Sequence, residues 1–151
     1  MSYVSSLYHI VIVTQRREKT IIEEKAKDLF YFIWGIIKRR NCKLIRINGT
    51  SDHVHILLEL HSTICLSDLV RDIKRGTTKW IKEKRVMPLF NGWGKEYAAF
   101  SCSFDAKESV KSYIINQQVH HRTESTENEY MRLLNENGLS YYNETTSSDN
   151  G

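Results

Sequence analysis

The spacing of apolar residues in this chain switches between a period of two and a period of three to four, and the order of the switches leaves few folds open. Residues 7–14, Leu-Tyr-His-Ile-Val-Ile-Val-Thr, are β-branched and aromatic and read as a strand. Over 20–40, Ile22, Ala26, Leu29, Phe30, Ile33 and Ile37 recur at helical steps. Residues 43–48 read as a second strand ended by Gly49, and 50–52 as a turn. Residues 53–60 make a third strand. Over 66–85 the stripe Leu66, Leu69, Val70, Ile73, Trp80 and Ile81 predicts a second helix, with Gly76 as an interior breaker. Residues 87–95, holding Pro88, Gly92 and Gly94, read as a loop, and 97–104 as a fourth strand. Asp105, with Glu108 three residues on, is the expected N-cap of a helix running to about His121. A further amphipathic stretch spans 128–137 and stops at Gly138.

The order β-α-β-β-α-β followed by helices is the split βαβ, ferredoxin-like (RRM-like) pattern. The expectation is therefore α+β: a four-stranded antiparallel sheet with two helices on one face, C-terminal helices after it, and the opposite sheet face open for a ligand. One domain over 1–138 is expected, with a disordered tail over 139–151.

Charge is unevenly distributed. Residues 122–151 hold 2 basic and 6 acidic side chains, which leaves 20 against 12 in residues 1–121. A basic body suits a polyanionic partner. At 40% hydrophobic and 11% aromatic the chain is not a disordered one. Three widely spaced cysteines, Cys42, Cys65 and Cys102, with no CxxC pair, argue against a disulfide scaffold or a cysteine zinc site and are read as free, mostly buried thiols. No apolar run approaches the ~20 residues of a membrane span, and residues 7–13 do not read as a signal peptide. The expected location is the cytoplasm.

The third strand carries the first chemical signal. Val54, Ile56, Leu58 and Leu60 share one face and suit the helices; His53, His55, Leu57 and Glu59 share the other. Two imidazoles project side by side, close enough to share a metal ion, and Asp52 stands just before them to orient one ring. Taken alone, the pair also fits two partly exposed polar residues at a strand start. The second signal lies in the helix after the fourth strand. Tyr113 and Gln117 are four apart and stack on one face, bordered by Asn116 and His120. A half-buried Tyr beside a solvated amide face is the plainer reading.

Together the two signals make chemical sense. A phenol is a weak nucleophile at neutral pH, and a divalent cation bound to a phosphate oxygen makes phosphorus easier to attack. Two imidazoles and an amide oxygen suit Mn²⁺ and tolerate Mg²⁺, with zinc left open. Attack by Tyr113 on DNA would store the phosphodiester energy in a phosphotyrosine that a 3′-hydroxyl could later reverse.

At this point the chain resembles the single-tyrosine HUH transposases of the insertion-sequence 200/605 type. The matching pieces are Tyr8-His9-Ile10-Val11, Ile47-Asn48-Gly49, Asp52-His53-Val54-His55, Trp93 to Phe100, and Tyr113-Ile114-Ile115-Asn116-Gln117, in order over roughly 7–121. The resemblance implies a nucleophile at Tyr113, metal ligands at His53, His55 and Gln117, and a homodimer that excises and inserts single-stranded DNA carrying hairpin ends. For the family it implies active sites assembled in trans, Tyr113 and Gln117 of one subunit acting with His53 and His55 of another; the sequence leaves cis or trans assembly open. Asp52, Asn116 and His120 are expected in the surrounding shell.

Arg16 and Arg17 in the first loop, and Lys74, Arg75 and Lys79 on the second helix, are the expected phosphate contacts. Tyr3, Trp80, Trp93 and Tyr97 are candidates for stacking on bases, with core packing favoured for Trp80. His120 and His121 stand either near the phosphate and metal or as helix-end caps. Alternatives with related chemistry are a replication-initiator-like HUH nickase and a metal phosphohydrolase using water. A non-catalytic RRM-like module would place aromatics where His53 and His55 stand.

Overall fold

The computed structural model describes residues 2–139. In chain order it contains β1 (Leu7–Thr14), α1 (Glu23–Arg39), β2 (Lys43–Gly49), β3 (His53–Glu59), α2 (Leu66–Lys84), β4 (Trp93–Cys102), α3 (Lys107–Ile115), α4 (Gln117–His120) and α5 (Thr126–Glu136). Short 3-10 turns occupy Gln15–Arg17 and Phe104–Ala106. The strands form one antiparallel sheet in the order β2-β3-β1-β4. This is the expected α+β arrangement. The tail expected from 139 onward lies outside the described residues, Leu139 excepted.

Strand alternation sorts the side chains as expected on one face. Ile10, Ile12, Val54, Ile56 and Leu58 are buried against Leu29, Ile33, Ile36 and Ile37 of α1 and Leu69, Val70, Ile73 and Ile81 of α2. Gly76 does not break α2. It lies where α1 and α2 approach closely, and an added Cβ would come within 2.9 Å of Ile36 Cδ1. Trp80 stacks on Phe32 at 5.1 Å between ring centroids and packs against this core.

The opposite face is not open. Val11, Val13, Ala98 and Phe100 are covered by Tyr130 and Leu133 of α5. The helix read at 128–137 thus serves as a lid on the sheet, because Thr126, Glu129, Tyr130 and Leu133 make a buried stripe at helical spacing.

Three local expectations are corrected. The fourth strand begins at Trp93, not Tyr97, and ends at Cys102. Gly94 reads as a loop residue but belongs to the strand: a Cβ there would stand 3.2 Å from Val13 Cγ2, so the glycine admits the close approach. Asp105 is not the cap. Ser103 is, accepting from Ala106 N in the turn that precedes α3. The helix expected through His121 is interrupted at Asn116, with φ −93 and ψ 20. Asn48 is the cause: its Nδ2 donates to the carbonyls of Ile114 (2.9 Å) and Ile115 (3.2 Å), which a continuing helix would bond internally. Gln118 completes the pin by donating to Asn48 Oδ1 and Gly49 O. Gly49 must be a glycine, since a Cβ there would run into the His53 carbonyl.

All three cysteines are free, but only Cys42 is buried; Cys102 is partly buried and Cys65 exposed. Among the described residues no helix is long and apolar enough to cross a membrane.

Candidate active site

His53 and His55 leave β3 on the face covered by α3, α4 and α5, and both are fully buried. The expectation of partly exposed imidazoles on an open sheet is therefore corrected. Their burial is possible because every ring nitrogen finds a partner. His53 Nδ1 donates to Asp52 Oδ1 at 2.8 Å. The same oxygen accepts from Thr126 Oγ1 at 2.7 Å and Thr50 Oγ1 at 3.2 Å. Burial alone would raise the Asp52 carboxyl, but these hydrogen bonds from His53 and Thr126 hold it below its usual range.

On its other side, His53 Nε2 lies 2.8 Å from Gln117 Oε1 and 3.3 Å from Glu129 Oε1. Burial would lower this imidazole, yet the acceptors Asp52, Glu129 and Gln117 raise it to about 9. Near neutral pH it is an imidazolium. His55 Nε2 is 3.0 Å from the same Glu129 oxygen, but burial dominates and lowers it to about 4. A carboxylate can only accept, so His55 Nε2 carries the proton, and its bare Nδ1 accepts from His9 Nε2 at 2.7 Å. His9, on β1, is itself lowered to about 3 by burial and by His55.

Glu129 is the hub. Oε1 accepts from His53, His55 and His121 (2.9 Å). Oε2 accepts from Gln117 Nε2 (2.9 Å) and, through a short bond, from the Tyr113 hydroxyl. Burial would raise this carboxyl, but its imidazole donors, His121 first, hold it far below the ordinary carboxylate range. Tyr113, half-buried, is raised by burial and then by Glu129. Arg132 opposes that shift: its Nη2 donates to the phenol oxygen at 2.7 Å.

The structure thus brings Tyr113, His53, His55, Gln117 and Asp52 into one cluster within a single chain. Tyr113 lies 5.9 Å from the His55 ring and 4.6 Å from His120, which stacks on it. His120 ends α4 and His121 caps it, as one of the two readings expected, and His121 also donates to Glu129 while His120 stacks on Tyr113. Asn116 is exposed; it contributes its carbonyl, which accepts from Val119 N and His120 N, rather than a side chain at the site.

Sequence reasoning missed His9, Glu129, His121 as a contact of Glu129, and Arg132. Two signals were available. His9 has the strand parity of Val11 and Val13, and so faces the His55 side once β1 pairs with β3. Glu129 is an acid inside an otherwise apolar helical stripe, the kind of residue that is buried only with partners.

Outside the cluster the expected phosphate contacts divide. Arg16 and Arg17 sit in the turn after β1 with φ of 56 and 53, lining a hollow with Gly94, Lys95 and Tyr130. Arg17 lies over the Tyr130 ring, and its Nε is buried with no hydrogen-bond partner among the described residues. Lys74, Arg75 and Lys79 line a second hollow that ends at Trp93. Lys74 is committed elsewhere: its ammonium bonds the carbonyls of Gly94, Lys95 and Glu96 at 2.9–3.3 Å and straps β4 to α2. Trp93 is also no stacking platform. It is buried and donates to Thr77 Oγ1 at 2.8 Å. Tyr3 is exposed.

A paired-histidine strand facing a tyrosine helix in this topology is matched by the sequence profile described as "Transposase IS200 like", over residues 2–117. The chain belongs to the IS200-like transposase family. A curated member, the ISDra2 transposase TnpA of Deinococcus radiodurans, is 25% identical over 119 residues, covering 73% of this chain and 82% of that protein. Among solved structures, a candidate transposase from Deinococcus radiodurans R1 superposes with a TM-score of 0.61 at 23% identity, covering 78% of this chain and 95% of that one. A REP-associated tyrosine transposase bound to a REP hairpin gives a TM-score of 0.63 at 16% identity, covering 80% and 72%. Both share the fold. For this transposase the profile ends at Gln117, so α5 with Glu129 and Arg132 lies beyond the matched segment.

Proposed function

We propose that this transposase cuts and rejoins single-stranded DNA through a covalent phosphotyrosine at Tyr113, assisted by a divalent cation. The observation that carries the reading is the convergence of the Tyr113 hydroxyl with the side chains of His53, His55 and Gln117 on one carboxylate, that of Glu129.

The donor set fits a cation of the Mn²⁺ or Mg²⁺ kind. Neighbouring ligands about 2.1 Å from a six-coordinate ion lie about 3.0 Å apart. His53 Nε2 stands 2.8 Å from Gln117 Oε1 and 3.3 Å from Glu129 Oε1, and His55 Nε2 stands 3.0 Å from the same Glu129 oxygen. His53, His55 and Glu129 present ligand atoms within 4.8 Å of one another. The protons on the two Nε2 atoms must leave before either nitrogen can ligate, so a cation and these protons compete. Asp52 then fixes the His53 ring from behind. A bound cation would withdraw charge from a phosphate oxygen.

The residues supply the rest. The phenol proton is lost to solvent as the phosphate arrives, since Glu129, held far below the ordinary carboxylate range, does not keep it. Tyr113 Oη bonds to phosphorus, the P–O3′ bond breaks, and the departing 3′ oxygen takes a proton from solvent. Attack by a 3′-hydroxyl on the phosphotyrosine reverses the bond changes, so joining needs no nucleotide cofactor. Arg16 and Arg17 on one side of the start of β4, and Arg75 and Lys79 on the other, give a basic path for DNA phosphates. Hairpin ends as the recognised feature and a homodimer belong to the same reading; light scattering tests the dimer.

The test is incubation with Mn²⁺ or Mg²⁺ and a labelled single-stranded oligonucleotide spanning the hairpins that flank the coding sequence. A denaturation-resistant protein–DNA band is expected, absent with Tyr113→Phe. Cleaved DNA with the Phe variant would assign the reaction to water instead.

A further inference from the structure

Arg132 is placed with more care than a surface arginine needs. It stands on α5, beyond the segment that matches the family, and reaches 19 residues back to the oxygen of Tyr113. Three contacts aim it. Nε donates to Glu124 Oε2 and Nη2 to Glu124 Oε1, both at 2.9 Å, a forked pairing that fixes the guanidinium plane. Nη1 donates to Glu136 Oε1 at 3.1 Å. The remaining N–H of Nη2 points at the phenol oxygen at 2.7 Å, and the guanidinium carbon lies 5.5 Å from the centre of the Tyr113 ring.

Resting on the reading of Tyr113 as nucleophile, we propose that Arg132 is a further catalytic residue, which binds the scissile phosphate beside the attacking oxygen and stabilises the charge that develops there. The chemistry follows from position. When Tyr113 Oη approaches phosphorus, a donor already touching Oη on the side from which the phosphate comes can reach a non-bridging oxygen of that phosphate. Arg132 Nη2 is such a donor, it cannot be deprotonated, and two carboxylates hold it so that little reorganisation is required. Its N–H then passes from the phenol oxygen to a phosphate oxygen as the P–Oη bond forms and P–O3′ breaks. No proton is moved by Arg132, and it keeps its charge throughout. On the return step it faces the same phosphate in the phosphotyrosine.

The alternative is a latch: Arg132 and Glu129 together hold Tyr113 away from DNA, and freeing the phenol speeds reaction. The two readings give opposite signs. The experiment is the single-turnover rate of covalent adduct formation, at saturating flanking oligonucleotide and Mn²⁺, for the full chain and for Arg132→Ala and Arg132→Lys, with folding checked by thermal melting. Loss of one transition-state donor predicts a fall of about 100-fold for Arg132→Ala. Oligonucleotide affinity should be unchanged, with partial recovery in Arg132→Lys or on adding guanidinium to Arg132→Ala. An unchanged or faster rate in Arg132→Ala overturns the proposal. So does a slow rate that neither lysine nor guanidinium improves, which would make Arg132 a purely structural tie. If the unsubstituted protein itself forms no adduct, the nucleophile reading fails and this inference with it; an adduct that is indifferent to Arg132 removes the inference alone.

Discussion

Along β3 two kinds of interior alternate one residue at a time. Val54, Ile56 and Leu58 are wholly buried in hydrocarbon between the sheet and α1 and α2. His53 and His55, equally buried, sit among Asp52, Gln117, Glu129 and His9 under α3, α4 and α5. The first face gains free energy from each methylene removed from water. The second must offset the desolvation of ionisable groups with hydrogen bonds, and a buried network of this kind rarely outperforms packed hydrocarbon in stability. Such a network is expected where chemistry needs it, as in the strand-mounted ligands proposed above. The comparison teaches that equal burial on two sides of one strand has different consequences: one side holds the fold, the other holds donors at ligand spacing.

The largest effect that would separate the faces is on stability. Ile56→Ala should lower the unfolding free energy by about 2–5 kcal/mol, read by urea denaturation. It should leave Mn²⁺ affinity of the folded protein unchanged by calorimetry. A loss of cation binding in this variant would mean that the two faces do not work independently.

Asp52→Asn probes the polar face at one remove. It keeps the shape but takes away the charge behind His53, and support of this type is worth about 10–100-fold in metal affinity. Calorimetric titration with Mn²⁺ should show that loss. An unaltered affinity would mean that His53 needs no carboxylate behind it and would remove Asp52 from the proposed site.

The pH dependence of the metal-free protein tests the polar face as a whole, and its sign differs between residues. His9 and His55 fold at about 3 and about 4 against 6.5 for the free side chain. As pH falls through 6.5 the unfolded chain therefore takes up protons that the folded chain refuses, and stability declines until those lower values are reached. His53 is raised to about 9, so its contribution is complete below 6.5 and is lost as pH climbs to about 9. The melting temperature measured in chelator should peak near pH 6.5 and fall on both sides. His53→Gln should flatten the alkaline limb. A profile unaffected there would show that the imidazolium at position 53 is not held as described.

Much of the fold was legible because it depends on period. The helical stripes of α1 and α2 and the alternation of β3 appear in the residue order, and the sheet order follows from the β-α-β-β-α-β connection. Local signals failed where a distant side chain intervened. Nothing near residue 116 announces a helix break, because Asn48, 66 residues away, takes the Ile114 carbonyl. Gly76 reads as a breaker and Gly94 as a loop residue, but they stand where α2 packs closely on α1 and β4 on β1, with little room for a Cβ.

The site divides in the same way. Residue order alone was enough to place His53 and His55 on one strand face, since side-chain direction is a local consequence of backbone geometry, whereas Tyr113 and Gln117, expected on one helix, stand on α3 and α4 on either side of the break at Asn116. Their convergence on Glu129, the enlistment of His9, and the aim of Arg132 at a phenol 19 residues earlier were settled by how α5 lies across the sheet. Packing of that helix is driven by Tyr130 and Leu133 reaching Val11, Val13, Ala98 and Phe100. Burial of an apolar surface is non-directional, so no short-range pattern reveals which polar groups it will bring into contact.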